Sequence, residues 1–193
     1  MYRGAVPSRA LHRWNSDAQD ALDEIEEAHR AVGGLGRGRR YATLQVNHAY
    51  VTLLSSQFQG FCRDLHTEAV AVFVGVITPA VHRPIVRNLL VQGRKLDSGN
   101  PNPGNLGSDF GRLGIAFWPM VTALDLRNRT RQAALEVLNA WRNAVAHQDW
   151  SNVGPALRLN QVQAWRAACR ALATHFDAAV GAYLAGLVGA APW

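Results

Sequence analysis

Lysine is almost missing from this chain. Of its 20 Lys and Arg residues only Lys95 is lysine, and the other 19 are arginine. With 14 acidic residues the formal net charge is +6, so the positive charge rests on guanidinium groups, whose planar fork matches phosphate in a bidentate way. That points to an anionic partner such as a nucleic acid, although an Ala-, Gly-, Val- and Arg-rich composition also follows from a GC-rich genome. Cysteine is scarce too. Cys62 and Cys169 are the only two, far apart and each on a predicted apolar helix face, which excludes a disulfide framework and suits a reducing compartment. Long apolar runs are absent: the longest, Ala69 to Ile77, is too short to span a bilayer. The opening "MYRGAVPSRALHRW" has no apolar core of signal-peptide length, so the expectation is a cytoplasmic protein with no membrane association.

Metal-ligand patterns are also thin. Glu26 and His29 form one Glu-x-x-His, whereas a di-iron bundle needs two, with further Glu residues on facing helices. Cys62 and His66 share a helix face with no matching second pair. Neither a metal nor a cofactor is expected. The Gly-rich stretch "GGLGRGRR", Gly33 to Arg40, lacks the Gly-Lys-Ser/Thr ending of a phosphate-binding P-loop and reads as a basic turn. Its Arg39 and Arg40 are candidate phosphate contacts for a nucleic-acid substrate.

What the chain does have is helical periodicity. With 48% hydrophobic and 18% charged residues over 193 positions, it reads as one folded helical domain, residues 1–193. Asp17 to Val32 puts Ala18, Ala21, Leu22 and Ile25 on one side and acids on the other. Leu44, Val51, Phe58, Leu65 and Val72 recur every seven residues, which predicts a long buried helix running into "AVAVFVGVI" and ending before Pro79. A third helix is expected over Pro79 to Arg94, carrying Val81, Ile85, Leu89 and Leu90. From Lys95 to Pro119 the density of Gly, Pro and Asn predicts an excursion with little regular structure, a lid, a partner contact or a mobile loop. A fourth helix follows from about Arg127 to His147, with Ala134, Leu138, Trp141 and Val145 inward. A fifth begins near Asn160 and carries Val162, Trp165, Cys169, Leu172, Phe176, Ala179 and Tyr183 on one face. No alternating strand pattern appears, so the expected fold is all-α, an up-and-down bundle of four to five helices.

The chemistry concentrates in "LNAWRNAVAHQDW", Leu138 to Trp150. Asn143 and His147, four residues apart, are neighbours on one helix face, with Glu136 and Asn139 extending the polar stripe. Arg142 and His147 lie about 140° apart around the axis and about 7.5 Å along it, a gap that a long Arg side chain bridges toward one shared phosphate. The bare pattern Arg-x-x-x-x-His is weak, since 19 Arg and 7 His produce roughly one match by chance. A second match, Arg170 to His175, has no Asn and sits beside the core stripe through Phe176. It is read as a surface Arg and a packed His. The first match adds Asn143, lies at a helix end where a ligand can approach, and has Ala140, Ala144 and Ala146 beside it, small enough for a second helix to come close.

At these residues the sequence resembles the HEPN ribonucleases, in particular the prokaryotic branch whose motif reads Arg-Asn-x-x-x-His late in a helical bundle. "SSQFQGFCRDL", Ser55 to Leu65, is similar to that branch's second-helix pattern, and "LNQVQAWRAACRALATHFDAAVGAYL", Leu159 to Leu184, to its terminal helix. One position departs: Gln59 stands where the branch carries an acid. The resemblance implies metal-independent RNA cleavage at a site assembled from two copies of the motif across a homodimer, with Arg142, Asn143 and His147 as catalytic residues. It also implies a toxin or defence effector, with an antitoxin protein as a further candidate partner. The alternatives are a non-catalytic helical module that binds RNA, a nucleotide or a protein through the same Arg-rich groove, and a structural bundle in which these three residues are a solvated face.

Overall fold

The computed structural model describes residues 6–33, 40–154 and 156–193, and among them every regular element is helical. A short α1 (Arg9–Asn15) leads into α2 (Asp17–Gly33), and the long α3 (Arg40–Gly75) runs through the middle of the molecule. A 3-10 turn at Ala80–His82 opens α4 (Arg83–Val91). Three short helices follow: α5 (Lys95–Ser98), α6 (Pro103–Gly111) and α7 (Phe117–Leu124). Then come α8 (Asn128–His147) and α9 (Leu159–Val188).

The heptad of α3 is why it sits centrally. Val51, Leu54, Phe58 and Leu65 are each 0% exposed, because a seven-residue repeat keeps one seam facing its neighbours along the whole helix. Contacts along that seam give the topology. Glu26 meets Tyr50 while Trp14 meets Phe61, so α2 with its α1 extension descends as α3 ascends. His48 meets Trp150 and Ser55 meets Asn139, so α8 also descends. Tyr50 meets Arg166 and Phe58 meets Phe176, so α9 ascends beside α3. Helices α2, α3, α8 and α9 form an up-and-down bundle, the expected architecture. By length and composition α9 is apolar enough to cross a membrane, but here Val162, Cys169, Leu172, Phe176 and Val180 are buried against the rest of the bundle. Cys62 and Cys169 are both buried and free.

A polar seam ties α2 to α9. Arg166 makes ion pairs with Asp23 at 2.7 Å and Glu26 at 3.0 Å, and donates to the Gln19 side chain at 3.0 Å. Burial favours protonation of Glu26, but hydrogen bonds from Tyr50, Gln163 and Arg166 outweigh it and hold the carboxyl below its ordinary range.

The stretch from Lys95 to Pro119 corrects the sequence expectation, because it is folded. Asn102 caps α6, its side chain accepting the Asn105 N–H at 2.8 Å, with Pro103 in the first turn where its missing N–H costs nothing. Asp109 receives the backbone N–H groups of Lys95 and Leu96 at 2.9 and 2.8 Å. Leu106, Phe110, Leu113, Ile115 and Phe117 enter the core, and the Phe110 and Phe117 rings stack at 4.3 Å. Composition read these Asn and Pro residues as loop formers, whereas their spacing makes them helix caps. The helix expected over Pro79 to Arg94 is a 3-10 turn at Ala80–His82 followed by α4, Arg83–Val91. Leu90 is buried, but Val81, Ile85 and Leu89 are 72%, 62% and 67% exposed.

Candidate functional site

The C-terminal end of α8 carries all three sequence-predicted catalytic residues. Arg142 is half-buried, while Asn143 and His147 are exposed. Helical periodicity puts Ala133, Val137, Ala140, Asn143 and His147 on one outward strip. Arg142 leaves the axis on the far side and returns, so that its Nη1 lies 3.4 Å from Asn143 Oδ1, a long contact. That same oxygen accepts the Asn100 amide at 2.5 Å. The structure thus brings Arg142 and Asn143 together. No hydrogen bond or ion pair joins His147 to either of them among the described residues.

His147 is the last residue of α8, and the next residue, Gln148, takes left-handed backbone angles, φ 56° and ψ 32°. The N–H groups of Gln148 and Asp149 both donate to the Ala144 carbonyl, combining the 5→1 bond of an αL cap with the 6→1 bond of a Schellman turn, and the chain turns sharply away from the axis. The imidazole is left at an open helix end. Asp149 is held below the ordinary carboxyl range by its hydrogen bonds to Ser151 and, to a lesser degree, by the charge of His147.

The second Arg-x-x-x-x-His match is built differently. His175 is half-buried, with Nδ1 3.1 Å from Asn128 Oδ1. Asn128 is itself 0% exposed and donates to the Val121 carbonyl at 2.7 Å. Burial and the neighbouring Arg131 charge push the His175 pKa down, as the packed-His reading requires.

Three other expectations change. Asn139 does not extend the exposed polar stripe. It is 4% exposed and donates to the carbonyls of Leu135 and Pro101 at 2.8 and 3.3 Å, pinning the folded 95–119 stretch to α8. Ala144 lies on the same helix face as Ala140 and His147 but is only 5% exposed, so of the three small residues Ala140 and Ala146 are the more open to another molecule. Gln59 donates its amide to the Leu96 carbonyl at 2.7 Å, a bond that an ionised acid at that position would be unable to make. Of the basic turn, Arg39 lies outside the described residues, and for Arg40 only the backbone is described, as the first residue of α3. Because α3 and α8 are antiparallel, that start lies at the same end of the bundle as His147. Among the described residues no group of three or more His, Cys, Asp or Glu side chains is placed to hold a metal ion.

Sequence reasoning missed several neighbours of this helix end. Asn100 on Asn143 had no signal apart from its polarity. The aromatic set of His48, Trp141 and Trp150 had one, since Trp150 follows the motif directly. The His48 and Trp150 rings stack at 4.9 Å and 23°, and Trp141 is 6.3 Å from Trp150. Burial pushes the His48 pKa down, which keeps that ring neutral near pH 7. No family model matches this chain, and comparison with curated proteins and with solved structures finds no match either.

Proposed function

We propose that the protein is a metal-independent endoribonuclease of the HEPN type, cleaving RNA at a site composed across a homodimer, in the role of a toxin or defence effector. The observation that carries this reading is the contrast between its two Arg-x-x-x-x-His matches. His175 is engaged by a buried Asn, whereas His147 stands open at a helix end beside an arginine already steered by Asn143. A general acid or base needs an imidazole with unspent hydrogen-bonding capacity that substrate can reach.

RNA brings its own nucleophile. In this reading one His147 takes the proton of the 2′-hydroxyl, the 2′-oxygen bonds to phosphorus, and the bond from phosphorus to the 5′-oxygen breaks. A second copy's His147 protonates that leaving oxygen, because one motif supplies one proton-transfer group and a two-fold dimer supplies two. Arg142 offsets the charge that builds on the non-bridging oxygens. Asn143, bonded to Asn100 and facing the guanidinium, orients Arg142 and not the imidazole.

His147→Ala and Arg142→Ala are each expected to remove RNA cleavage, by at least about 100-fold, with helicity unchanged. His175→Ala, the internal control, is expected to retain cleavage and lose some stability. Products should carry 2′,3′-cyclic phosphate and 5′-hydroxyl ends, form in the presence of chelator, and disappear when the scissile nucleotide is 2′-deoxy. Cleavage that depends on added metal and leaves 5′-phosphates, or full activity of His147→Ala, contradicts the reading.

A second reading rests on Gln59. A position that carries an acid in the branch it resembles is here given to a structural amide bond with Leu96, which favours an RNA-binding module that does not cleave. Wild-type protein that binds RNA, leaves it intact and binds it equally well as His147→Ala would select that reading.

A further inference from the structure

Beside the end of α8 the chain forms an aromatic recess of about 200 Å³ between the first turns of α3 and the segment that follows α8. Leu44 and His48 line it from α3, Trp141 from α8, and Trp150 from beyond the Schellman turn. It adjoins a second recess of about 350 Å³ that shares Trp141, Gly154 and Ala156 and adds Arg158, Asn160 and Gln161 from the start of α9. Neither recess has an acidic side chain in its lining. Trp150 has His48 stacked against it and still keeps 39% of its surface exposed. Trp14, Trp141 and Trp165, by contrast, are buried to 1%, 5% and 8% exposure.

We propose that this recess is a stacking subsite for a nucleobase of single-stranded RNA flanking the cleaved bond, with Trp150 as the platform and Arg158 on the adjoining phosphate. The proposal rests on the ribonuclease reading and names how its substrate is held. Three observations favour this occupant. The lining sets the rings of Trp150, His48 and Trp141 among Leu44, Val153 and Leu157, a ring face being a surface on which every base can stack, and the rim offers amide and guanidinium groups without a carboxylate to repel phosphate. The aromatic recess, about 200 Å³, has room for one base, and the recess it adjoins, with Arg158 in its lining, has room for the phosphate that follows. Trp150 lies three residues after His147, so their Cα atoms are at most roughly 11 Å apart, a distance that a single strand crosses in a few nucleotides. Duplex RNA keeps its bases stacked inside the helix and has none to insert.

The test uses the full chain and a 2′-O-methyl RNA single strand that resists cleavage, with binding followed by anisotropy and by quenching of tryptophan fluorescence. Trp150→Ala and Trp150→Leu should each weaken binding roughly 10-fold or more, while Trp150→Phe, which restores a π face, should stay within about 3-fold of wild type. The Leu variant retains apolar bulk, so a loss shared with Ala but not with Phe reports stacking and not damage to the fold. With cleavable RNA the Trp150→Leu variant should raise KM and leave kcat nearly unchanged. Wild-type binding with equal affinity by Trp150→Leu, or equal affinity for duplex and single strand, overturns the subsite and leaves the ribonuclease reading standing. Wild-type protein that neither binds nor cleaves RNA overturns both.

Discussion

Gln148 shows how closely backbone strain lies to the candidate chemistry. Its left-handed φ of 56° is a conformation that glycine adopts freely and that an L side chain adopts at a cost. The residue is kept there by its own N–H bond and that of Asp149 to Ala144, and by its side chain donating to the Val145 carbonyl at 2.9 Å. Strain of this kind persists where the surroundings over-determine it, and here it sets the path from His147 to Trp150. Gln148→Gly is therefore expected to raise stability by about 0.5–1 kcal/mol in urea unfolding. A fall in stability would mean that the Val145 bond outweighs the relieved strain. The sequence placed His147 at a helix end, but it gave no hint of this turn, because a glycine or asparagine announces a left-handed cap and a glutamine does not. It also separated His147 from His175 by Asn143, the helix end and the small residues nearby, while the partner that engages His175, Asn128, lies 47 positions away, beyond the reach of local pattern.

Among the helices, α5 and α6 are tied to α3 by a buried polar cluster, from which acid sensitivity is expected. His66 is 0% exposed, with Nε2 3.0 Å from the Asp109 carbonyl and Nδ1 3.4 Å from Arg94 Nη1, an arrangement that suits a neutral ring donating from Nε2. Burial first, and then the Arg94 charge, push its pKa down to about 4. The unfolded chain, with a His pKa near ~6.5, takes up the proton sooner than the folded one. The contribution of the neutral ring is thus complete above ~6.5, declines as pH falls, and is gone below about 4. A shift of this size corresponds to about 3 kcal/mol. Urea unfolding at about pH 7 and about pH 4.5 should show wild type losing clearly more stability than His66→Gln, and parallel losses would refute the assignment. This cluster was hidden in the sequence for the same reason that the 95–119 stretch was misread. Asp109 acts on Lys95 and Leu96 from 14 and 13 residues away, while composition registers only that Gly, Pro and Asn are frequent. Where periodicity was long, as in α3 and α9, pattern and structure agree, because a stripe sustained over many turns has few other ways to be buried.

At the scale of the molecule, two of the exposed strips among the described residues offer a second copy a surface, and one of these two serves the proposed chemistry. The outward strip of α8 carries Val137, 46% exposed, beside Ala140, Asn143 and His147. The other is the Val81, Ile85 and Leu89 strip at α4, next to a groove of about 730 Å³ lined in part by Arg87 and Arg94. The sequence marked Ala140, Asn143 and His147 on the first strip and Val81, Ile85 and Leu89 on the second, but not which of them is covered, since amphipathic spacing says that a face is apolar and not what covers it. A site built from two His147 side chains requires the α8 strips to meet about a two-fold axis, where each residue faces its own neighbourhood on the other copy. Sedimentation at micromolar concentration should therefore show a dimer for wild type and for Leu89→Arg, and a monomer for Ala140→Arg, because a long charged side chain at a close helix crossing is both oversized and unpaired. Cleavage should fall together with dimerisation in Ala140→Arg, even though Ala140 touches no reacting atom. A wild-type monomer, or a dimer broken by Leu89→Arg and kept by Ala140→Arg, would place the two His147 residues apart and leave each motif with one proton-transfer group, too few for the in-line exchange of a 2′-hydroxyl proton and a 5′-leaving group between two histidines.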